Sequence, residues 1–374
     1  MSFWLILFAV LLAASLGGTF YLITRFHRFS FVEKMAEKHK ALSWVIAALF
    51  VAVIVALSAL LINVWSAIVI LLHLIFFWII FDIILGYLRK NYKEERKHNI
   101  EGVLAIATTF VYLLFGWKFA HTVYRTQYNL QTAKDMGTDR LRICGFADSH
   151  LGITIDGEKF AEEIKRIEAE NPDVVVLAGD FVDDDSCRAD MVRACQAMGE
   201  MKSTYGVYYI DGNHDKGYYQ SGRDFTYDEL ISELEKNGVT VLKDETVLVD
   251  DKFYIVGRKD KSDDERMSVS ELVKDLDKSK YTLVLDHQPN DYANESEEDI
   301  DLVFSGHTHG GHLWPAGYIG VLLRANDAFY GAEEYNGTGF IVTSGISGWA
   351  IPFKTGTKSE YDVMDVYQAP QTNQ

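Results

Sequence analysis

The six histidines that follow residue 121 all stand inside or beside motifs rich in acidic residues or glycine. They are His150, His214, His287, His307, His309 and His312. The motifs, in chain order, are Asp148-Ser-His150, Gly179-Asp180-Phe-Val-Asp183, Gly212-Asn213-His214-Asp215, Asp286-His287-Gln-Pro289 and Gly306-His307-Thr-His309-Gly-Gly-His312. Imidazole nitrogens and carboxylate oxygens, with one amide oxygen, suit a pair of divalent transition metals. Two metals held close together can clamp both sides of an in-line displacement at phosphorus, so the motifs predict a two-metal phosphoesterase.

Each motif follows a short apolar run that is typical of a buried strand. These runs cover residues 141–147, 174–177, 205–210, 283–285 and 302–304. Residues 160–171 have helical spacing, so strands alternate with helices as in α/β proteins. Such folds place their sites at the carboxyl ends of the strands, which is where the motifs lie.

The order of the motifs resembles the calcineurin-like metallophosphoesterase family over residues 141–366. Two later segments are similar to its membrane-anchored branch: residues 306–315 read GHTHGGHLWP, and residues 343–361 read TSGISGWAIPFKTGTKSEY. That branch usually has Gln at the position of His312, which leaves the role of this residue open. The resemblance implies an α/β fold in which two mixed β-sheets form a sandwich flanked by helices.

The resemblance also implies a ligand set for two divalent ions, for which Mn, Zn and Fe all fit N/O ligands. The first ion is expected to bind Asp148, His150, Asp180 and His309. The second is expected to bind Asp180, Asn213, His287 and His307. Asp180 would bridge the ions with its two carboxylate oxygens, and a hydroxide that bridges them is the expected nucleophile.

His214 directly follows Asn213 and is expected to reach the leaving-group oxygen. The matching histidine of the family acts as general acid or stabilises the transition state. Asp183 is the favoured group to orient it and Asp215 a close second, although either could instead cap a loop. The candidate substrate contacts are His312, Tyr218, Tyr219 and Arg223, for which ordinary loop positions are the alternative. His312 could instead take the place of a side chain that supports a metal ligand.

The net charge of −17 is unevenly distributed along the 374 residues. Residues 1–128 carry 12 Lys/Arg and 6 Asp/Glu, whereas residues 129–374 carry 24 and 47. The sequence therefore predicts a transmembrane domain over 1–128 and an acidic catalytic domain over 129–374, with a polar linker at 122–138. An acidic domain repels nucleic acid phosphates over most of its surface, so no nucleic acid partner is expected.

Four membrane spans are predicted in the first domain. Residues 3–24 are uncharged and mostly apolar, and residues 41–81 are long enough for two spans of about 20 residues each. Asn63 and Trp65 mark the expected break between those two spans. Residues 102–117 begin a fourth span, which Lys118 can extend to about Tyr124 by snorkelling.

Basic residues in the short loops give an expected orientation. The first loop holds Arg25, Arg28, Lys34, Lys38 and Lys40, and the third holds Arg89, Lys90, Lys93, Arg96 and Lys97. Because such loops stay in the cytoplasm, four spans place the catalytic domain outside it, in a multi-pass protein of the cell membrane. A fourth segment that only lies on the surface would reverse this result.

The sequence thus predicts a membrane-anchored two-metal phosphoesterase that acts outside the cytoplasm on a lipid-linked or envelope phosphate ester. One alternative is a cytoplasm-facing nucleotide-lipid pyrophosphohydrolase, similar to UDP-diacylglucosamine hydrolases. Another is a non-catalytic membrane scaffold, which the intact set of ligand motifs disfavours. Composition and motifs leave open the substrate, the choice between monoester and diester, the identity of the metals and the oligomeric state.

Overall fold

The computed structural model describes residues 2–93, 96, 98–217 and 223–369, with the side chains of residues 2–11 outside this description. The chain divides into two compact units, Met1–Phe115 and Gly116–Gln374. The sequence-based boundary after residue 128 falls within a strand of the second unit. We call the two units the membrane unit and the catalytic unit, after the two domains that the sequence predicts.

Long helices make up most of the membrane unit. Their bounds are α1 Ser2–Phe26, α2 Ser30–Ala36, α3 Lys40–Leu61, α4 Val64–Tyr92 and α5 Ile100–His121, of which the last continues into the catalytic unit. Among the described residues, α3, α4 and α5 are long and apolar enough to cross a membrane. The predicted first span lies within α1, where the side chains of residues 3–11 lie outside the described part, and it stays a prediction.

The predicted break between the second and third spans is confirmed. Helix α3 ends at Leu61, and Asn63 caps the start of α4 by accepting a hydrogen bond from the Ser66 backbone N–H at 2.7 Å. A side-chain oxygen at this position satisfies one of the amide groups that a helix leaves unpaired at its amino end. The cap therefore separates one long apolar stretch into two helices.

Two mixed sheets of six strands each form the centre of the catalytic unit in the described part of the chain. The first has the order β1-β12-β2-β3-β4-β5 and the second β10-β11-β9-β8-β7-β6. The first contains β1 Val123–Thr132, β2 Arg140–Phe146, β3 Val174–Ala178, β4 Val207–Ile210, β5 Thr240–Val241 and β12 Ser359–Gln368. The second contains β6 Glu245–Val249, β7 Phe253–Gly257, β8 Tyr281–Leu285, β9 Leu302–Ser305, β10 Gly331–Tyr335 and β11 Thr338–Val342.

The sandwich packs a core between its sheets and a further core under the helices on each side. Phe304 and Leu283 of the second sheet share one cluster with Ile143 and Val176 of the first. The outer face of the first sheet packs under α6 Gly157–Glu168, α7 Arg188–Glu200 and α8 Tyr227–Lys236. The short helices α9 Val269–Val273 and α10 Tyr292–Glu295 pack on the second sheet, and α11 Ala316–Leu322 follows β9. The predicted α/β sandwich flanked by helices is confirmed.

Both faces of strand β3 are buried, which explains why its sequence is an unbroken apolar run. Val175 and Leu177 pack into the core beneath the helices, whereas Val174, Val176 and Ala178 pack into the core between the sheets. Successive side chains of a strand point to opposite faces, so a strand with both faces buried has no position for a polar residue. This central strand delivers the Gly179-Asp180 motif to the edge of the sheet.

The linker predicted at 122–138 is wrong, because β1 occupies most of it. All ten residues of β1 pair in parallel with β12, from Val123 opposite Ser359 to Thr132 opposite Gln368. As the outermost strand of its sheet, β1 has one open edge and several exposed side chains. Its composition is therefore as polar as that of a loop, which is why the sequence failed to mark it as a strand.

Candidate active site

The motif residues gather where five strands end. The parallel strands β2, β3 and β4 lie side by side in the first sheet, and β8 and β9 are parallel neighbours in the second. Because the carboxyl ends of parallel strands meet at one edge, the loops that follow them converge there. The loops carry Asp148 and His150, Asp180, Asn213 and His214, His287, and His307 and His309.

One group of ligand atoms is formed by Asp148, His150 and His309, which lie close enough to hold a metal ion. His309 Nε2 lies 3.1 Å from His150 Nε2 and 3.6 Å from Asp148 Oδ1. His150 Nε2 lies 4.0 Å from Asp148 Oδ1. Two imidazole nitrogens and a carboxylate oxygen thus point toward a common centre, as the first predicted site requires.

A second group contains Asp180, His287 and His307. His287 Nε2 lies 3.1 Å from Asp180 Oδ2, and His287 Nδ1 lies 2.7 Å from the carbonyl oxygen of Ala178. A carbonyl only accepts hydrogen bonds, so Nδ1 donates and Nε2 is left to face the site as a ligand atom. The three residues correspond to part of the second predicted site.

Asp180 lies between the two groups. Its Oδ2 is 3.1 Å from His287 Nε2 in the second group and 3.6 Å from His150 Nε2 in the first. Its Oδ1 accepts a hydrogen bond from the His214 backbone N–H at 2.8 Å. The sequence led us to expect one oxygen for each ion, whereas in the structure a single oxygen faces both groups.

The burial of these groups fits bound cations. Asp148, His150 and His287 have no exposed surface, and Asp180 is 1% exposed. Burial, with the neighbouring charge of Asp180, raises the pKa of Asp148 to about 6. Two carboxylates removed from water and placed together are costly unless positive charge compensates them. The donor set of nitrogen and oxygen atoms is one that Mn²⁺, Zn²⁺ and iron ions accept.

Left-handed backbone conformations are concentrated in the ligand loops. Asp148 has φ 55°, Asp180 φ 51°, His307 φ 69° and His309 φ 51°. Residues with a side chain seldom adopt such angles, and strain of this kind clusters at functional sites where surrounding structure enforces it. Ligand residues therefore adopt this conformation after β2, β3 and β9.

A single carboxylate, Asp183, links His214 to the first group. Asp183 Oδ1 lies 3.1 Å from His214 Nδ1, and Asp183 Oδ2 lies 2.9 Å from His150 Nδ1. Burial lowers the pKa of His214, but the hydrogen bond to Asp183 and the charge of Asp180 outweigh it and raise that pKa to about 8. The geometry therefore favours Asp183 over Asp215 as the group that orients His214.

Asp215 takes the alternative role, that of a loop cap. Its two carboxylate oxygens accept hydrogen bonds from the backbone N–H groups of Asp180, Phe181, Val182 and Gly212, at 2.7–3.0 Å. These bonds tie the loop after β3 to the loop after β4. Asp215 thereby fixes the distance between Asp180 and Asn213 and acts through the backbone.

The candidate substrate contacts have different positions. His312 has its ring centroid 5.4 Å from that of His309, and its ring nitrogens are buried and make no hydrogen bond within the described part of the chain. Arg223 instead donates hydrogen bonds to the backbone carbonyls of Asp215 and Phe225, at 2.9 and 3.2 Å. Tyr218 and Tyr219 lie outside the described residues.

Two residues that the sequence did not suggest lie beside the site. The Trp349 ring centroid is 5.4 Å from that of His214 and 6.5 Å from that of His150. Lys354 is fully buried and donates hydrogen bonds to the carbonyls of Ser344, Gly345 and Ser347. Both belong to the segment 343–361 that carried the resemblance, but neither has the acid or imidazole chemistry that marks a ligand.

The loop held by Lys354 packs directly on a ligand. Gly345 has φ 77°, and a Cβ at this position would lie 2.6 Å from the Cβ of Asp148. Only glycine combines that backbone angle with so close an approach. Lys354 therefore secures the loop that presses against Asp148, and burial lowers the pKa of this lysine to about 8.

The family model for calcineurin-like phosphoesterases matches residues 141–311. A metallophosphoesterase of Aquifex aeolicus is 30% identical over 236 residues, which are 61% of this chain and 85% of that protein. A bovine transmembrane protein with metallophosphoesterase domain is 28% identical, over 62% of this chain and 54% of that protein. The chain thus spans little more than half of this longer relative.

Among solved structures, a dimetal phosphatase from Danio rerio is 12% identical, with a TM-score of 0.33 over 56% of this chain and 87% of that one. The sequence comparisons place the chain in the metallophosphoesterase family, and its catalytic unit is a metal-dependent phosphoesterase domain. The resemblance inferred from the motifs is confirmed.

The shared position of Asp180 gives a prediction for metal content. Asp180→Ala should lose both ions, because its carboxylate faces both ligand groups. Asp185→Ala, which removes an exposed carboxylate from the same loop, is the matched control and should keep its metal. Metal per protein chain is measured by inductively coupled plasma mass spectrometry. Two tightly bound ions in the Asp180 variant would show that this residue is no bridge.

Proposed function

We propose that this protein is a membrane-anchored phosphoesterase with two divalent metal ions that hydrolyses a lipid-linked or envelope phosphate ester outside the cytoplasm. The observation that carries the catalytic part is the pair of buried ligand groups that share Asp180, with His214 at their side. The first ion is assigned to Asp148, His150, Asp180 and His309. The second is assigned to Asp180, Asn213, His287 and His307.

Two bound cations would lower the pKa of a bound water toward about 7 and neutralise phosphate charge. The protein's own side chains are proposed to transfer the proton and to contact the substrate. Asp183 holds His214 by its Nδ1. His214 Nε2 is the nitrogen that we propose protonates the leaving-group oxygen. A positively charged His214 also offsets the charge that develops on that oxygen. His312, whose ring nitrogens are buried beside His309, is proposed to contact the substrate phosphate.

The metal requirement can be tested directly on the purified full-length protein. Chelation should abolish hydrolysis of a generic aryl phosphate monoester or diester, and added Mn²⁺ should restore it, because both ligand groups contain only nitrogen and oxygen atoms. The rate is followed by release of the coloured phenol. Full activity in a protein shown to be metal-free would contradict the proposed mechanism.

His214→Ala should retain both metals and lose roughly 10²–10⁴-fold in rate, the usual worth of general acid catalysis. The loss should shrink for esters with very good leaving groups, since these need no proton. Rates for a series of aryl esters of graded leaving-group pKa, together with metal analysis, check this. An equal loss for every leaving group would instead assign His214 a positioning role.

Several ion pairs support the proposed orientation of the membrane unit. Asp82, in the second half of α4, pairs with Arg25 and with Arg28, the latter at 3.4 Å. Arg96 in the third loop pairs with Glu33 in the first. Contacts between the two basic loops are expected if both lie on one side of the membrane, and loops rich in Lys/Arg stay in the cytoplasm.

The side on which the catalytic unit lies depends on the helices that follow the first basic loop. These are α3, α4 and α5, the candidate spans, and three crossings lead to the opposite side. The proposal is therefore independent of whether α1 also crosses. It places the catalytic unit where it meets lipid head groups and envelope polymers rather than cytosolic nucleotides.

Protease added to intact cells or spheroplasts should remove the catalytic unit and leave the membrane unit. Immunoblots against a tag at each end of the chain follow the two parts, and a cytosolic marker protein controls for lysis. If the catalytic unit is cut only after the membrane is broken, α5 does not cross. The cytoplasm-facing nucleotide-lipid pyrophosphohydrolase would then replace the present proposal.

A further inference from the structure

An apolar surface lies next to the ligand loop that contains His309 and His312. It consists of Trp314 and four residues of α11 and its end, namely Tyr318, Ile319, Leu322 and Leu323. Leu322 is 80% exposed and Tyr318 63%. We call these five residues the α11 surface.

The α11 surface differs from other exposed apolar residues of the catalytic unit. In the described residues that follow α5, the other large exposed ones are dispersed along the chain: Leu248, Met267, Tyr335, Trp349 and Tyr367. Single exposed apolar residues are normal on soluble proteins, whereas contiguous patches mark binding surfaces. Five such residues within ten positions therefore indicate an occupant.

The absence of charged residues from this segment indicates which kind of occupant it binds. Residues 313–323 contain no charged residue, although residues 129–374 as a whole carry 47 Asp/Glu against 24 Lys/Arg. Trp314 and Tyr318 precede the exposed aliphatic side chains of this stretch. Trp and Tyr beside aliphatic residues are typical of the boundary between head groups and acyl chains. An uncharged surface can enter that layer without the repulsion that the acidic remainder would meet at anionic lipids.

Hydrogen bonds within the catalytic unit connect the α11 surface to the end of a candidate membrane span. The Lys354 backbone N–H donates to the carbonyl of Gly116 in α5 at 2.9 Å. The next residue, Thr355, donates its N–H to the carbonyl of His312 at 2.8 Å and accepts from the Trp314 N–H at 3.1 Å. Lys354 and Thr355 thus link Gly116 near the end of α5 to Trp314 at the start of the α11 surface.

Close packing reinforces this connection. A Cβ on Gly116 would lie 2.8 Å from Thr355 Cγ2, so α5 and the segment after Lys354 are in tight contact. Trp117, the next residue of α5, is 47% exposed and has the side chain typical of a membrane interface. The end of α5 and the start of the α11 surface are therefore held together within the catalytic unit.

We infer that the α11 surface inserts into the interfacial layer of the bilayer that α5 crosses. The apolar face of an interfacial segment is buried about 5–10 Å into the boundary between head groups and acyl chains. The surface follows the ligand loop directly, so its insertion brings His309 and His312 to the level of lipid phosphates. A lipid-borne phosphate ester then reaches the site from the plane of the membrane; this last step, unlike the insertion itself, rests on the proposed function.

Site-directed spin labelling of the full-length protein tests the insertion without any assay of activity. Leu322→Cys, in a background with the exposed Cys187 changed to Ser, is labelled in phosphatidylcholine–phosphatidylglycerol vesicles. The label should collide with oxygen more often than with a water-soluble nickel chelate. Leu248→Cys, an exposed apolar position on β6 in the same unit, is the matched control and should show the reverse.

Other results would overturn the inference. Equal access of the nickel chelate to the labels at Leu322 and Leu248 would mean that the surface lies in water. Dipolar broadening between labels at Leu322, with low access for both reagents, would assign the surface to contact between two copies of the chain. Leu323→Cys provides a second labelling position in case Leu322→Cys fails to retain its metal.

A rate comparison tests the functional consequence. Leu322→Glu should lower the rate on a phosphate ester carried in vesicles, relative to that on a soluble aryl ester, by about tenfold, since one buried leucine contributes that much to partition. Leu248→Glu should leave this ratio unchanged. An unchanged ratio in both variants overturns the role in substrate delivery, whereas no hydrolysis by the unmodified protein would instead contradict the proposed function.

Discussion

The carboxylates of Asp148 and Asp180 are buried at the edge where the strand ends meet, and their mutual repulsion has to be compensated. Imidazoles surround them, and the ligand groups that they form with these carboxylates could hold metal cations, which would supply compensating charge. The left-handed turns after the strands, the cap formed by Asp215 and the loop held by Lys354 all keep ligand atoms directed at one place. Without bound cations, burial of these two carboxylates would raise the free energy of the folded protein.

The same network shows why ligation and proton transfer are connected. Asp183 touches a ligand histidine with one oxygen and His214 with the other. The orientation of the ligand His150 and that of the proposed general acid therefore depend on one carboxylate. A second layer of hydrogen bonds commonly fixes the ring orientation of metal ligands, and in this protein that layer also contains a residue proposed to act on the substrate.

Much of the site could be predicted because its chemistry is local in sequence. Short motifs directly follow the apolar strands, for example Asp148 with His150, or Asn213 with His214. Parallel strands then bring these motifs together at their carboxyl ends. The choice between Asp183 and Asp215 needed the structure, since sequence neighbours do not show which way a carboxylate points. Lys354 and Trp349 were missed for another reason. In the sequence both look like ordinary loop residues. Only the folded structure shows that the lysine binds three carbonyls and that the tryptophan packs beside His214. The polar edge strand β1 was missed because half-exposed strands lack an apolar pattern.

The short connection between α5 and β1 has a consequence for how the protein can be divided. Helix α5 ends at His121 and β1 begins at Val123, so a single residue separates a candidate membrane span from the edge of the first sheet. A truncated protein that begins after β1 would leave β12 as an open edge, with ten residues deprived of their partners. Such edges pair readily with other chains and promote aggregation. A truncated protein that keeps β1 and the end of α5 retains exposed apolar side chains of a candidate membrane span. Solubility and an intact first sheet are thus competing demands on any fragment of this chain.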